Sequence, residues 1–410
     1  TGTHARALGM GGAHIAVAND ASAMTWNPAG LVHIKRIEMA TTLSLDDRDI
    51  ETTWHGNDDA AGENEIQLAG LHLLYPFPTY RGSLVFGFGM DRMQNYNRNY
   101  RRSGRDEEGT TLGGPSFLVD SHSREGKLTS WSGAVGWDIS PRFSAGISLS
   151  YMTGSILDEQ SFLARDVDGV NDTYISAQDS YLLDLDITGY SALAGLLFQA
   201  TPQIRLGAVA GSPRVLDIER FEQYQTRDFL DDGMEEFYSE SNILMDETIT
   251  FPWFIGFGAS WAARGLMLAS DVRYTDWTEL KDELGGSEVF YLKPYYEEAT
   301  SFSLGGEYLL PVIPLRVRAG YRYDPVPFNL TYCPYEECLD DGRDPAELDA
   351  AIDKDRHVYS AGAGYLFGSL FALDVAFETG SFERLIEDDP TLYAEKRTAS
   401  SLIVTGAYRF

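Results

Sequence analysis

Apolar and polar side chains alternate in short runs along almost the whole chain after residue 36. The clearest examples are Lys127–Asp138 and Phe143–Tyr151, where every second residue is apolar and the positions between are mostly polar or small. A period of two residues is typical of a β-strand with one apolar and one polar face. About fourteen such runs occur before the chain ends, so the pattern predicts an all-β protein.

The connections between the predicted strands alternate strictly between short and long. Six are short turns built on Pro, Gly, Ser or Arg, and seven are long and hold most of the acidic residues: 45–63, 93–125, 156–180, 215–245, 277–297, 325–355 and 380–397. This layout, with an even number of antiparallel strands, is that of bacterial outer-membrane barrels. The sequence therefore predicts a transmembrane antiparallel β-barrel of about 14 strands, with both termini periplasmic and the long acidic loops extracellular.

Composition narrows the alternatives to this prediction. No run approaches the ~18 consecutive apolar residues of a transmembrane helix. The net charge of -30 argues against nucleic-acid binding, which needs a basic surface. A soluble acidic protein is the competing interpretation of that charge, but a soluble sandwich has no reason to separate long loops from short ones. The chain does not begin with Met, and we expect that a targeting segment has already been removed.

The first 35 residues differ in composition and pattern from the rest: small residues and glycines are frequent, and apolar and polar positions do not alternate. Gly9, Gly11 and Gly12 allow close backbone approach or a positive φ. Asn27 before Pro28 is a favourable helix start, and with Ala29 these residues predict a sharp change of direction. We interpret residues 1–35 as a plug inside the lumen, gated at these six positions, and residues 36–410 as the barrel. A phosphate-binding glycine loop and an ordinary leading loop are the alternatives.

Two stretches carry a family resemblance. The segments Arg6–Ala13, Ala16–Ala23 and Trp26–Leu31 closely resemble the N-terminal hatch of the FadL/TodX-type transport proteins, and the last strand, ending in Phe410, resembles the C-terminal signature of outer-membrane barrels. The resemblance implies a fourteen-stranded barrel that imports long-chain fatty acids or aromatic hydrocarbons by passive diffusion, with lateral release into the membrane. The same opening also resembles the PorV/PorQ-like branch, which works with a secretion machine, and this alternative stays open.

Import of a hydrophobic molecule needs an apolar route for its tail and a polar anchor for its head group. Gly87 and Gly89 can weaken strand pairing and open the wall, and Pro252 removes one hydrogen bond from its strand. The alternative role for each is packing against the plug. The candidate anchors for a ligand carboxylate face the predicted lumen; they are Arg205, Arg316 and Arg318.

The sequence holds little sign of an enzyme or a metal site. Its seven histidines show no pair at metal-ligand spacing, and Gly189–Leu193 misses the nucleophile-elbow pattern at its last position. Asp166–Gly169 faintly resembles a calcium loop but lacks the closing Glu, so we expect no cofactor, and a loop Ca²⁺ site is the minor alternative. Cys333 and Cys338 lie in a long acidic loop and predict a local disulfide, with two free thiols as the alternative.

The expected partners follow from the predicted barrel. They are membrane lipid and lipopolysaccharide around the wall and a hydrophobic small molecule inside it, with no nucleic acid. We expect a monomer rather than an oligomer.

Overall fold

The computed structural model is an all-β molecule whose strands close into one antiparallel barrel of 14 strands. It describes residues 3–54, 57–106, 115–167, 174–230, 235–285, 287–288, 296–327, 355–388 and 391–410. Cys333 and Cys338 lie outside these residues, as does most of the calcium-like loop. No helix in the described part of the chain is long and apolar enough to cross a membrane.

The strands follow in chain order: β1 Glu38–Trp54, β2 Asn57–Phe77, β3 Leu84–Asn95, β4 Arg98–Asp106, β5 Ser116–Ser140, β6 Phe143–Asp166, β7 Tyr174–Gln199, β8 Ile204–Gly211, β9 Arg214–Leu230, β10 Glu235–Phe251, β11 Phe254–Ala263, β12 Leu266–Asp276, β13 Lys281–Leu284, β14 Ser287–Glu288, β15 Glu298–Leu309, β16 Leu315–Asp324, β17 Arg356–Phe367, β18 Phe371–Asp388 and β19 Thr391–Arg409. The helical elements are short: α1 Ala5–Leu8, α2 Ala23–Trp26, and two 3₁₀ turns at Pro28–His33 and Trp277–Glu279.

Three of the fourteen barrel strands are interrupted, each consisting of two consecutive strands: β3 with β4, β8 with β9, and β10 with β11. The short hairpin β13–β14 lies beside the wall and pairs with β10. Closure comes from the first and last strands, which pair from Glu38–Arg409 to Thr52–Glu395. Because closure pairs the first strand with the last, the barrel has no free terminal edge strand.

The two faces of the wall separate as the alternation predicts. On β3, Phe86 and Phe88 are exposed on the outside, whereas Val85 before them and Asp91 after them are buried. On β6, apolar side chains such as Leu149 and Tyr151 are likewise exposed on the outside. Charged side chains instead face inward, which fits a barrel whose outer face meets lipid.

The strands run further than the hydrophobic pattern indicates. Much of the predicted loop 93–125 is β4 and the first part of β5, and most of 215–245 belongs to β9 and β10. The ladder depends on backbone hydrogen bonds, whereas apolar alternation lasts only where one face meets lipid. Where the structure describes them, the predicted long loops are therefore largely polar strand extensions at the end of the barrel opposite the short turns.

Candidate functional site

The N-terminal segment, residues 3–35, contributes no strand and is almost wholly buried. It rests against glycines of the barrel strands, where any added Cβ would collide with it. We call these glycines the glycine belt; with the residue each meets, they are Gly136 (Pro28), Gly146 (Pro28, Ala29), Gly195 (Asn27), Gly207 (Ile15), Gly258 (Ile15, Ala16), Gly305 (Met10) and Gly320 (Met10, Gly11). The belt brings the segment's backbone directly onto the inner wall.

Asn27 connects the segment to itself and to the wall. Its side-chain oxygen accepts a hydrogen bond from Ala29 N at 3.1 Å, which caps the 3₁₀ turn that Pro28 begins. Its amide nitrogen donates to Ile15 O at 2.9 Å and to Leu196 O of β7 at 3.1 Å. With no exposed surface, Asn27 uses its polar atoms to hold the segment in place.

The three predicted glycines near the start of the segment have separate roles. Gly11 and Gly12 adopt positive φ values of 64° and 79°, a conformation that other residues rarely adopt. Gly11 also donates its backbone N–H to Ser360 Oγ at 2.9 Å, and Gly9 packs closely against β17 and β18. The predicted plug glycines therefore lie at points where the chain turns or closely approaches the wall.

A buried charge network joins the segment to β15, β16 and β18. Arg6 binds Glu307 at 3.1 Å and Asp20 at 3.2 Å. Arg318 binds the same Glu307 at 2.7 Å and Asp374 at 2.6 Å. Although burial would raise the pKa of the Asp20 carboxyl, the Arg6 guanidinium beside it holds that pKa well below its usual range.

The three predicted carboxylate anchors do not come together. Arg318 is buried and committed to its two carboxylates. Arg316, more exposed, lines a cavity of about 400 Å³ together with Arg318, Glu38 and Arg409. Arg205 belongs to neither large cavity and lies beside Gln199, to which its Nε donates at 3.1 Å.

A larger cavity of about 520 Å³ lies elsewhere in the barrel, beside a gap in its wall. The ladder between β2 and β3 runs from Phe77–Leu84 to Gly70–Asp91 and stops there. Beyond Asp91 the chain pairs with β5 only, first as the end of β3 and then as β4. Residues 61–69 and 92–99, on the two sides of the gap, both contribute to the cavity, so the gap and the cavity are continuous.

Side chains replace the missing ladder across this gap. Asn97 donates through Nδ2 to Glu65 Oε2 at 3.1 Å, and Asn95 donates to the same oxygen. From β1, Arg48 Nη1 donates to the backbone oxygens of Asn95 and Asn97 at 3.3 and 3.4 Å. These bonds link β2 to the displaced chain where no continuous backbone ladder exists. Side-chain contacts of this kind open more readily than a backbone ladder does.

The cavity has both cationic and apolar neighbours. The arginines that line it are Arg48, Arg92, Arg98, Arg124, Arg356 and Arg397. Nε of Arg92 has no hydrogen-bond partner among the described residues. The side chain of Arg356, whose backbone belongs to the β16–β17 ladder, forms no hydrogen bond or ion pair with them. Met93 and Tyr96, also in its lining, pack against an inward-facing apolar cluster of β5, β6, β7 and β9: Leu128, Met152, Ile156, Ile187, Leu216 and Ile218.

The predicted wall-opening residues lie near interruptions of the strands, but none of them lies in the gap beside β2. Gly87 and Gly89 pair with both neighbouring strands, β2 and β5. A Cβ on Gly87 would lie 2.7 Å from Met24 Sδ, and a Cβ on Gly89 would meet the His72 ring. Pro252 separates β10 from β11, opposite Ser212 and Pro213, which separate β8 from β9. The last paired residue before the gap, Asp91, is two residues beyond Gly89.

Sequence patterns did not indicate the gap or its arginines. Residues 93–99 belong to a predicted polar loop, because the displacement of a strand does not change the two-residue period of its side chains. The run of Asn and Arg from Asn95 to Arg102 is the one local signal, since it interrupts the apolar alternation of β3.

Comparisons with known proteins agree with this architecture. Residues 1–388 match the family model described as outer membrane protein transport protein (OMPP1/FadL/TodX). No curated protein sequence matches the chain significantly.

Solved structures share the fold over the full length. A Pseudomonas aeruginosa FadL homologue is 17% identical, with 100% of this chain and 99% of that chain covered and a TM-score of 0.70. The toluene transporter TodX of P. putida is 14% identical, with the same coverage and a TM-score of 0.67. The toluene transporter TbuX of Ralstonia pickettii is 14% identical, covers 100% and 98%, and has a TM-score of 0.60. With the family model matching most of its length, the chain belongs to the FadL/TodX family of outer-membrane transport proteins.

Proposed function

We propose that this protein is a passive outer-membrane channel for long-chain fatty acids or closely similar amphiphiles with an anionic head group. The observation that carries the proposal is the larger cavity, whose lining combines Arg92 and Arg356 with Met93 and Tyr96, the two side chains that pack against the inward apolar cluster. A carboxylate head needs cationic donors and its hydrocarbon tail needs apolar surface. Aromatic hydrocarbons, the cargo of the toluene transporters, need only the second of these.

The gap between β2 and β3–β4 supports lateral release. Both of its sides contribute to the lining of the cavity, and Glu65, Asn95 and Asn97 form hydrogen bonds across it. A tail leaving through this gap enters lipid directly and avoids the aqueous phase, which the hydrophobic effect favours. The N-terminal segment then acts as the plug that keeps other solutes from crossing the lumen.

The secretion-associated alternative calls for a wide, open lumen. Contacts of the N-terminal segment with the glycine belt argue for a filled one and favour the importer. In this proposal the protein is a monomer with periplasmic termini, surrounded by lipid and lipopolysaccharide, and the transport step itself needs no cofactor.

Two measurements test the importer. Mass spectrometry of lipids that co-purify with the protein should find a fatty acid, and proteoliposomes should take up oleate faster than protein-free vesicles. Arg356→Gln should weaken oleate uptake about tenfold, the cost of one charge-assisted hydrogen bond, and leave toluene uptake unchanged. Arg205→Gln is the control, since that arginine lines neither large cavity.

Uptake of neither compound would contradict the importer. Equal losses of oleate and toluene uptake in Arg356→Gln would contradict the head-group assignment alone.

A further inference from the structure

Two histidines and one aspartate from distant parts of the sequence meet where the β2–β3 ladder ends. His4 precedes α1 in the N-terminal segment, His72 lies on β2, and Asp91 is the last residue of β3 that pairs with β2. All three residues are buried, with 3%, 1% and 3% of their surface exposed.

The geometry of the three side chains fits a single cation. One ligand atom from each lies within 4.8 Å of the others. A point between three such atoms is less than about 3 Å from each, so small side-chain rotations reach the roughly 2.0–2.1 Å of a zinc–nitrogen bond. His72 Nε2 is already 3.0 Å from Asp91 Oδ2, and Thr3 Oγ1 donates to Asp91 Oδ1 at 2.5 Å.

Two glycines make the space for this cluster. A Cβ on Gly89 would overlap the His72 ring, coming within 2.8 Å of Nε2. A Cβ on Gly70 would lie 2.9 Å from Thr3 Oγ1 and 3.2 Å from Asp91 Oδ1. Gly89, which the sequence also offers as a candidate for opening the wall, thus makes room for the inward ring of His72.

The histidines also have unused nitrogen atoms. Among the described residues, neither ring nitrogen of His4 has a hydrogen-bond partner, and Nδ1 of His72 has none. Buried polar atoms are rarely left unsatisfied, because each costs about 1–3 kcal/mol. A metal ion accepts a lone pair from one nitrogen of each ring, so it satisfies one of the two unpaired His4 nitrogens, and the carboxylate neutralises part of its charge.

We propose that His4, His72 and Asp91 form a binding site for a divalent transition metal ion such as Zn²⁺. Two imidazoles and a carboxylate are a donor set that suits such ions, and the remaining positions are open to water or to Thr3. The ion ties the N-terminal segment to β2 and β3 directly beside the gap, so it holds the segment against the wall there. Metal binding at these three residues does not depend on which substrate the protein transports.

Metal titration of the full-length protein tests the proposal. The protein is purified in detergent without a histidine tag, in a Cys333→Ser/Cys338→Ser background that removes thiolate ligands, and is stripped with a chelator. We expect one Zn²⁺ per chain by elemental analysis after desalting, and a higher melting temperature with Zn²⁺ than without. Removing one ligand with His4→Ala should lower the affinity by at least about 100-fold and abolish the thermal shift.

His33→Ala is the matched control, because His33 belongs to the same segment but lies outside the cluster. It should bind Zn²⁺ as the parent protein does. X-ray absorption of the parent protein with Zn²⁺ gives an independent readout, and we expect the scattering pattern of two imidazoles. Wild-type affinity in His4→Ala, no bound Zn²⁺ in the parent protein, or a spectrum without imidazole would each overturn the proposal.

Discussion

Asn97 Nδ2 donates a hydrogen bond to Glu65 Oε2 at 3.1 Å, across the place where the backbone ladder between β2 and the following strand has stopped. The same carboxylate also accepts a hydrogen bond from Asn95, so one side chain bonds to two residues on the other side of the gap. A wall joined here by side chains is weaker than a wall joined by a ladder, and this weakness lies beside the larger of the two cavities.

Removing this carboxylate should ease passage through the gap. Glu65→Ala deletes hydrogen bonds worth about 1 kcal/mol each, so the initial rate of oleate uptake into proteoliposomes should rise several-fold. Glu63→Ala is the control, since Glu63 lies on the same strand and lines the larger cavity but does not bond to Asn95 or Asn97. An equal rise in both variants would show that cavity charge, rather than the link across the gap, controls the rate.

Filling a position of the glycine belt should increase the leakage of ions through the barrel. Gly136→Ala places a methyl group about 2.7 Å from Pro28 O and 2.9 Å from Leu31 Cβ, so the N-terminal segment must shift. We expect a higher single-channel conductance in planar bilayers and a lower melting temperature, by overpacking of about 1–3 kcal/mol. Gly133→Ala on the same strand meets only Phe88 at 3.8 Å and should behave as the parent protein does.

Asn27 should prove necessary for the same seal. Asn27→Asp keeps the oxygen that caps Ala29 N but loses the amide donor to Ile15 O and Leu196 O. Two buried carbonyls lose a partner and a carboxylate is buried beside them, so the segment should loosen and ion conductance should increase. Conductance identical to that of the parent protein would show that Asn27 caps the 3₁₀ turn but does not seal the lumen.

Arg318 and Arg316 should differ sharply in their contribution to stability, although they are neighbours on one face of β16. The Arg318 side chain is 1% exposed and binds Glu307 and Asp374, so Arg318→Met leaves buried carboxylates and should cost about 3–5 kcal/mol. Arg316 is 43% exposed and 3.8 Å from Glu307, so Arg316→Met should cost less than about 1 kcal/mol. Urea unfolding in detergent micelles, followed by tryptophan fluorescence, measures both.

The period-two alternation was enough to predict the barrel, its strand number and the two faces of its wall. Phe86 and Phe88 face outward and Val85 inward because a strand's side chains alternate strictly, and that geometry is readable from residue order. The prediction of strand ends was less accurate, because β5 and β9 continue as paired backbone beyond their apolar pattern. The Asn27–Pro28 turn was also predictable, since capping depends on adjacent residues.

Only the tertiary structure decided which residues meet inside the barrel. Closure brings β1 against β19 and places His4 beside His72 and Asp91, and Arg6 beside Glu307, although these residues are far apart in sequence. Arg318 looked like a free anchor in the sequence, but its pairing with Glu307 and Asp374 depends on the register of three strands. The sequence alone determined the wall because its period is local, whereas the gap, the glycine belt and the histidine cluster depend on strand register and closure, which are long-range.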